Sequence, residues 1–120
     1  MGMHNFRELK IWQRSMDFVV RLYQATATFP KEEQYGLTAQ LRKCGISVPS
    51  NISEGAGRDT DKQFRHFLEI SMGSINEAQT QIELANRLSY LAPEDYEFLI
   101  DEAIQIYKMI LGFYNSLRDD

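Results

Sequence analysis

Apolar residues in this chain recur three and four positions apart in four successive blocks, and no stretch alternates apolar with polar as a half-buried strand would. A repeat near 3.6 residues lays side chains along one face of an α-helix, so helices are expected throughout. The first block runs from about Phe6 to Thr28, with Leu9, Trp12, Met16, Val19, Val20, Tyr23 and Ala27 as its expected core face. Phe29-Pro30 ends it, because the residue before a proline is pushed out of helical geometry. The second runs from about Glu33 to Gly57 on Leu37, Leu41, Val48 and Ile52. The third opens at Thr60, which makes a capping-box pair with Gln63, and holds its phase through Phe64, Phe67, Ser71, Ile75, Ala78, Ile82 and Ala85 to about Ser89. The fourth starts at Pro93, a favoured first helical residue, and runs on Tyr96, Leu99, Ile100, Ala103, Tyr107, Ile110, Tyr114 and Leu117. Short connections favour antiparallel neighbours. The expected fold is all-α: an antiparallel up-down-up-down four-helix bundle, one domain over residues 1–120.

Ser47-Val48-Pro49-Ser50-Asn51-Ile52-Ser53-Glu54-Gly55-Ala56-Gly57-Arg58 interrupts this plain pattern with a proline, two glycines and small polar residues. A proline inside a helix loses one hydrogen bond and meets the preceding turn, which costs roughly 3 kcal/mol. The helix either breaks at Pro49 or kinks and continues. The stripe Leu41, Val48, Ile52 keeps its phase across the proline, which favours a continuous helix ending at Gly55 or Gly57. Gln40, Lys43, Ser47, Asn51, Glu54 and Arg58 form a polar stripe beside the apolar one, with Glu54 and Arg58 spaced to pair. Gly73-Ser74 interrupts the third helix, and a close helix approach there would compensate for the glycine. Glu77, one turn on, would meet the polar stripe if the two helices are antiparallel.

Helices 1 and 4 carry more apolar surface than one core needs. Ile11, Phe18 and Leu22 lie on a face beside the expected core face of helix 1, and Phe98, Ile106, Leu111 and Phe113 extend that of helix 4. A large exposed apolar patch marks an interface. The expected oligomer interface is therefore Ile11, Phe18, Leu22, Phe98 and Phe113, with a second copy of the chain as partner.

The charge is −4 overall, unevenly spread: residues 1–60 hold eight Lys/Arg against six Asp/Glu, and residues 61–120 five against eleven. The acidic half argues against generic nucleic-acid binding, while the basic half leaves room for a local patch. Arg7, Lys10, Arg14 and Arg21 form one basic row on helix 1; Arg42, Lys43, Arg58 and Arg65 form a second, beside the 47–58 segment, and this is the candidate RNA-binding set. The alternative for both rows is an ordinary solvated helix face. His4 and His66 are far apart and no Glu-x-x-His pair occurs, so neither a metal nor any other cofactor is expected. Ser47, Ser50 and Ser53 have no base beside them, and Cys44 has no neighbouring His. No catalytic residue is assigned, and a non-enzymatic role is expected. Neither a membrane span nor a signal peptide is visible, and a single cysteine fits a cytoplasmic protein.

The chain resembles the bacterial four-helix-bundle family encoded within intervening sequences of 23S ribosomal RNA genes, which includes ribosomal-protein-like members. The likeness covers nearly the whole chain. It is carried by Phe-Arg-Glu-Leu-Lys-Ile-Trp at 6–12, Tyr-Gly-Leu-Thr-Ala-Gln-Leu-Arg-Lys at 35–43, and Ser-Val-Pro-Ser-Asn-Ile-Ser-Glu-Gly at 47–55 with Arg58. Phe64, Phe67, Gly73-Ser74 with Glu77, Leu88 and Tyr90-Leu91 follow. Cys44-Gly45 departs from the pattern, where a basic or small residue and then alanine would be expected. The resemblance implies a four-helix bundle, assembly as a ring-like homopentamer, and association with rRNA or other nucleic acid. Ser47, Pro49, Asn51, Glu54, Gly55, Gly73, Ser74 and Glu77 would be the structural signature that sets the packing of helices 2 and 3. The alternative function is a protein-interaction scaffold that touches no nucleic acid.

Overall fold

The structure, a computed structural model, describes residues 4–118, so the ends of the expected 1–120 domain lie outside the described residues. It is an antiparallel up-down-up-down four-helix bundle, 47 × 24 × 20 Å in extent. Helix α1 spans Lys10–Thr26, α2 Leu37–Ala56, α3 Asp61–Arg87 and α4 Pro93–Ser116. Each packs on its neighbours in sequence, and α4 returns to α1 to close the bundle, which leaves α2 and α4 diagonal to each other. Single turns of 3-10 helix at Phe6–Glu8 and Lys31–Glu33 precede α1 and α2.

The helix ends follow local chemistry. Helix α2 begins at Leu37, later than expected, because Glu33 stays in the preceding turn and caps it: its Oε1 accepts from the Leu37 amide at 3.0 Å while its Oε2 accepts from the Tyr90 hydroxyl at 3.0 Å. One carboxylate thus ties the start of α2 to the α3–α4 loop. Helix α3 starts as expected, with Thr60 Oγ1 accepting from the Gln63 amide at 3.1 Å. It ends in a turn that puts Ser89 at φ 64°, so that the Tyr90 amide reaches back to the Ala85 carbonyl at 2.9 Å. Helix α2 runs through Pro49 without a break.

The core corrects the expected face of α1. Ile11, Phe18 and Leu22 are buried at 5%, 1% and 0% exposure, whereas Met16, Val20 and Tyr23 are exposed at 40%, 56% and 39%. The helix seats itself on Ile11, Ser15, Phe18, Leu22 and Ala25, spaced four and three apart as in a heptad seam. Ser15 disguises that seam in the sequence. Its hydroxyl donates to the Ile11 carbonyl at 2.6 Å, so it is buried with its polar group satisfied. Thr26 does the same with the Leu22 carbonyl at 2.8 Å. The expected face survives only at its shoulder, where Leu9 and Trp12 pack partly buried against the core. On α4, Ile106 is also fully buried, and Phe113 packs edge-on against Phe64 with ring centroids 5.4 Å apart.

Close approach between helices occurs at two glycines, and neither is Gly73. A Cβ on Gly55 would lie 2.7 Å from Phe64 Cδ1 and 2.8 Å from Phe67 Cβ, so α3 crosses α2 there at a distance only glycine permits. A Cβ on Gly45 would lie 2.7 Å from Leu22 Cδ2. A Cβ on Gly73 would meet nothing within 4 Å, which overturns the expected close contact at that position. Its partner Ser74 does join the helices, since Ser47 Oγ and Ser74 Oγ lie 2.8 Å apart. Asn51 donates to the Ser47 carbonyl at 2.8 Å, and Ser71 to the Val48 carbonyl at 2.8 Å.

Candidate functional site

The turn Gly57–Thr60 folds the end of α2 back onto the start of α3 and brings Arg58 beside the first two turns of α3. There Lys62, Arg65 and His66 stand three and four positions apart, so they share one helix face. Together with Phe67 and, from α4, Tyr114, they line an open groove of about 610 Å³ at this end of the bundle. Arg58 is an ion-pair partner of Glu54 at 3.0 Å, as its spacing predicts, and its guanidinium lies over the Phe67 ring, 4.7 Å from the centroid. Arg65 lies over the Tyr114 ring at 3.9 Å and donates to the Tyr114 and Leu117 carbonyls at 3.0 and 3.3 Å, at the negative end of the α4 dipole. Tyr114 in turn donates to Glu69 Oε2 at 2.7 Å, and that bond pushes its phenol above the ordinary tyrosine range. Lys62 and His66 are exposed.

The four residues expected as one basic set fall into two places. Arg58 lies in the turn beyond α2, and Arg42 lies fourteen residues before Ala56, the last residue of that helix, about 21 Å along its axis at 1.5 Å per residue. It caps the end of α1, donating to Thr26 Oγ1 at 2.9 Å and to the Tyr23 carbonyl at 3.3 Å, with its guanidinium 4.3 Å from the Tyr23 ring centroid. With Lys43 it borders a separate depression of about 510 Å³ that includes Tyr35 and Ile46. The first basic row is also structural in part. Arg14 holds Glu102 of α4 through two bonds, at 2.5 and 3.1 Å, and Arg21 pairs with Asp95 at 3.3 Å while covering the Phe98 ring. Arg7 lies near the Phe6 and Trp12 rings.

Reasoning from sequence missed Lys62, His66, Phe67 and Tyr114 as neighbours of Arg58 and Arg65. The signal available was the spacing of Lys62, Arg65 and His66; Tyr114 could not be placed before the register of α4 against α3 was known. Of the expected interface, Ile11, Phe18 and Leu22 are consumed by the core, Phe113 is half-buried under His4 and Phe64, and Phe98 remains 41% exposed. The outward apolar surface of α1 and α2 is instead Met16, Val20, Tyr23 and Ile46.

The thiol of Cys44 is pushed up to about 11, first by burial and then by the neighbouring Glu77 carboxylate, so it stays protonated and unreactive at neutral pH. Glu77 thus meets α2 at Cys44, upstream of the Ser47–Ser74 contact. Among the described residues no three His, Cys, Asp or Glu side chains gather as a metal site would require. No described helix is long and apolar enough to cross a membrane.

The model of the family described as 23S rRNA-intervening sequence protein matches residues 7–112. The crystal structure of a protein of unknown function from the S23 ribosomal protein family of Bacteroides thetaiotaomicron VPI-5482 is similar in fold, with a TM-score of 0.78 and 23% identity, covering 87% of this chain and 97% of that one. No curated protein matches the chain. Neither description names an enzymatic activity.

Proposed function

The chain belongs to the 23S rRNA-intervening sequence protein family, and on that footing we propose that it is a non-enzymatic helical scaffold that binds RNA in the groove between the end of α2 and the start of α3. The observation that carries the reading is the meeting of Arg58, Lys62, Arg65 and His66 with the rings of Phe67 and Tyr114 in one open groove. Residues 61–120 carry eleven Asp/Glu against five Lys/Arg, so a cationic groove opening on that half is a local exception. Cationic side chains interleaved with aromatic ones are the surface that nucleic acid recognition uses. The family description, which refers to 23S rRNA, supports the polymer as RNA. Arg58 and Arg65 stay in the binding set proposed from sequence; Arg42 and Lys43, which border a different depression, do not belong to the same groove. A gel-shift titration against structured rRNA fragments tests this. Lys62→Glu, an exposed change, should weaken binding by at least about tenfold at low salt, and affinity should fall as salt rises. Binding that is absent, or that ignores salt, would remove the reading.

A second surface favours self-association as the scaffold's other property. Met16, Val20, Tyr23 and Ile46 leave an apolar face on α1 and α2 beside Arg42 and Lys43. On α4, Glu97, Phe98, Asp101 and Ile104 line an acidic and apolar depression of about 580 Å³. Because α2 and α4 are diagonal in the bundle, these surfaces belong to different sides of one protomer. Two unlike, complementary faces make a head-to-tail contact, which closes into a ring when the rotation permits. Native mass spectrometry should find an oligomer, and Val20→Glu should shift it toward the protomer. A protomer alone at micromolar concentration counts against self-association and leaves RNA binding to stand separately.

A further inference from the structure

The groove presents guanidinium planes more than guanidinium forks. Glu54 already holds Nη2 of Arg58, and the Tyr114 and Leu117 carbonyls hold Nη1 of Arg65. Each group is laid over a ring, at 4.7 Å on Phe67 and 3.9 Å on Tyr114. Arg58 nevertheless keeps 43% of its side-chain surface in solvent. Arg58, with Nη2 on Glu54 and a buried Nε that has no partner, is poorly disposed to clamp a phosphate bidentately through those nitrogens, and a guanidinium laid flat on a ring is well disposed to receive another flat group. A nucleobase is such a group, and RNA-binding proteins stack unpaired bases on aromatic rings and on arginine planes alike. The side chains were ordered before the ligand arrives, so little conformational freedom remains to be lost on binding.

Size and charge point the same way. A groove of about 610 Å³ has the capacity of a small-molecule site, enough for a nucleotide and not for the face of a duplex. Lys62 and His66 are the exposed basic side chains that line it, and Glu69 lines it with them. An RNA duplex hides its base faces and must be held through a long row of backbone contacts. This surface has no such row.

We infer that the groove selects unpaired RNA, one or two nucleotides of a loop, bulge or end, with a base stacked on the Arg58–Phe67 or Arg65–Tyr114 pair and the adjoining phosphate beside Lys62. The inference rests on the reading of the chain as an RNA binder and names the form of RNA. Fluorescence anisotropy with a labelled single strand of about ten nucleotides and a blunt duplex of equal length, between 50 and 200 mM salt, tests it. The single strand should bind about tenfold tighter than the duplex. Its log affinity should fall against log salt with a slope of about −0.7, since single strands lose about 0.7 per phosphate neutralised and Lys62 is the cation set beside the phosphate. Arg58→Lys keeps the charge and removes the plane, and should weaken the single strand about tenfold with the slope unchanged. Lys62→Gln should reduce the slope by about 0.7. Phe67→Leu, checked for an unchanged helical spectrum, should act as Arg58→Lys does. A duplex bound as tightly as the single strand, or Arg58→Lys and Phe67→Leu both without effect, overturns the inference while RNA binding stands. Failure of both RNAs to bind overturns the RNA reading itself.

Discussion

Phe18→Ala is expected to lower the unfolding free energy by about 3–5 kcal/mol, and Val20→Ala by less than about 0.5. The two residues are neighbours on one helix, and both are apolar. Phe18 is 1% exposed in the centre of the seam that α1 places against the bundle, whereas Val20 is 56% exposed. Removing the Phe18 ring leaves a cavity bounded by helices that cannot all close upon it, so the loss exceeds the transfer free energy of the missing atoms. Removing the Val20 methyls leaves only water where water already was. Urea denaturation of both variants, compared at constant m, measures the difference. Against a total stability of roughly 5–15 kcal/mol for a domain, the first change leaves a protein with little reserve. Equal effects at the two positions would mean that α1 sits rotated on its neighbours and that the Ile11–Phe18–Leu22 seam is wrong.

The second large effect pairs two glycines in which one substitution has opposite signs. Alanine in place of glycine inside a helix gains about 1 kcal/mol from backbone entropy. At Gly73 nothing lies within 4 Å of the new Cβ, so Gly73→Ala should be stabilising by most of that amount. At Gly55 the Cβ would sit 2.7 Å from the Phe64 ring and 2.8 Å from Phe67 Cβ. The second of these atoms is fixed to the α3 backbone and cannot swing away, so the helices must separate. Overpacking of this kind costs about 1–3 kcal/mol, which outweighs the helical gain, and Gly55→Val should be worse than Gly55→Ala. Thermal melts of the three variants give the signs directly. A stabilised Gly55→Ala would mean that α2 and α3 can separate there at little cost. Because the same crossing sets Arg58 over Phe67, the proposed RNA binding predicts that a Gly55 variant that still folds loses affinity for the single strand.

The elements themselves were legible in the sequence for local reasons. Thr60 with Gln63 and Pro93 each act within one turn of the chain, and the structure starts α3 and α4 where those residues dictate. The phase kept across Pro49 likewise foretold an unbroken α2. Helix α3 was read almost entirely: Phe64, Ser71, Ile75, Ala78, Ile82 and Ala85 are buried as expected, while Phe67 is only half-buried and its neighbour Leu68, not named from sequence, takes the core position. Helix α1 was misread because it carries two apolar stripes side by side and the true one contains Ser15. Periodicity counts apolar side chains; it cannot register a hydroxyl that satisfies itself on the Ile11 carbonyl. Ile11, Phe18 and Leu22, named from sequence as oligomer residues, inherited that error.

The candidate site divides along the same line. The Glu54–Arg58 pair follows from a spacing of four on one helix, and the cluster of Lys62, Arg65 and His66 from spacings of three and four on the next. Sequence alone therefore determined the helices, their caps and which charges share a helix face, since each depends on residues within a turn or two. Only the packed bundle decided which stripe of α1 was buried, that Gly55 and not Gly73 marks the close crossing, that Tyr114 of α4 underlies Arg65, and that Arg42 serves the end of α1. Those outcomes depend on the register between helices far apart in the chain, and register is chosen by how all four cores fill space together.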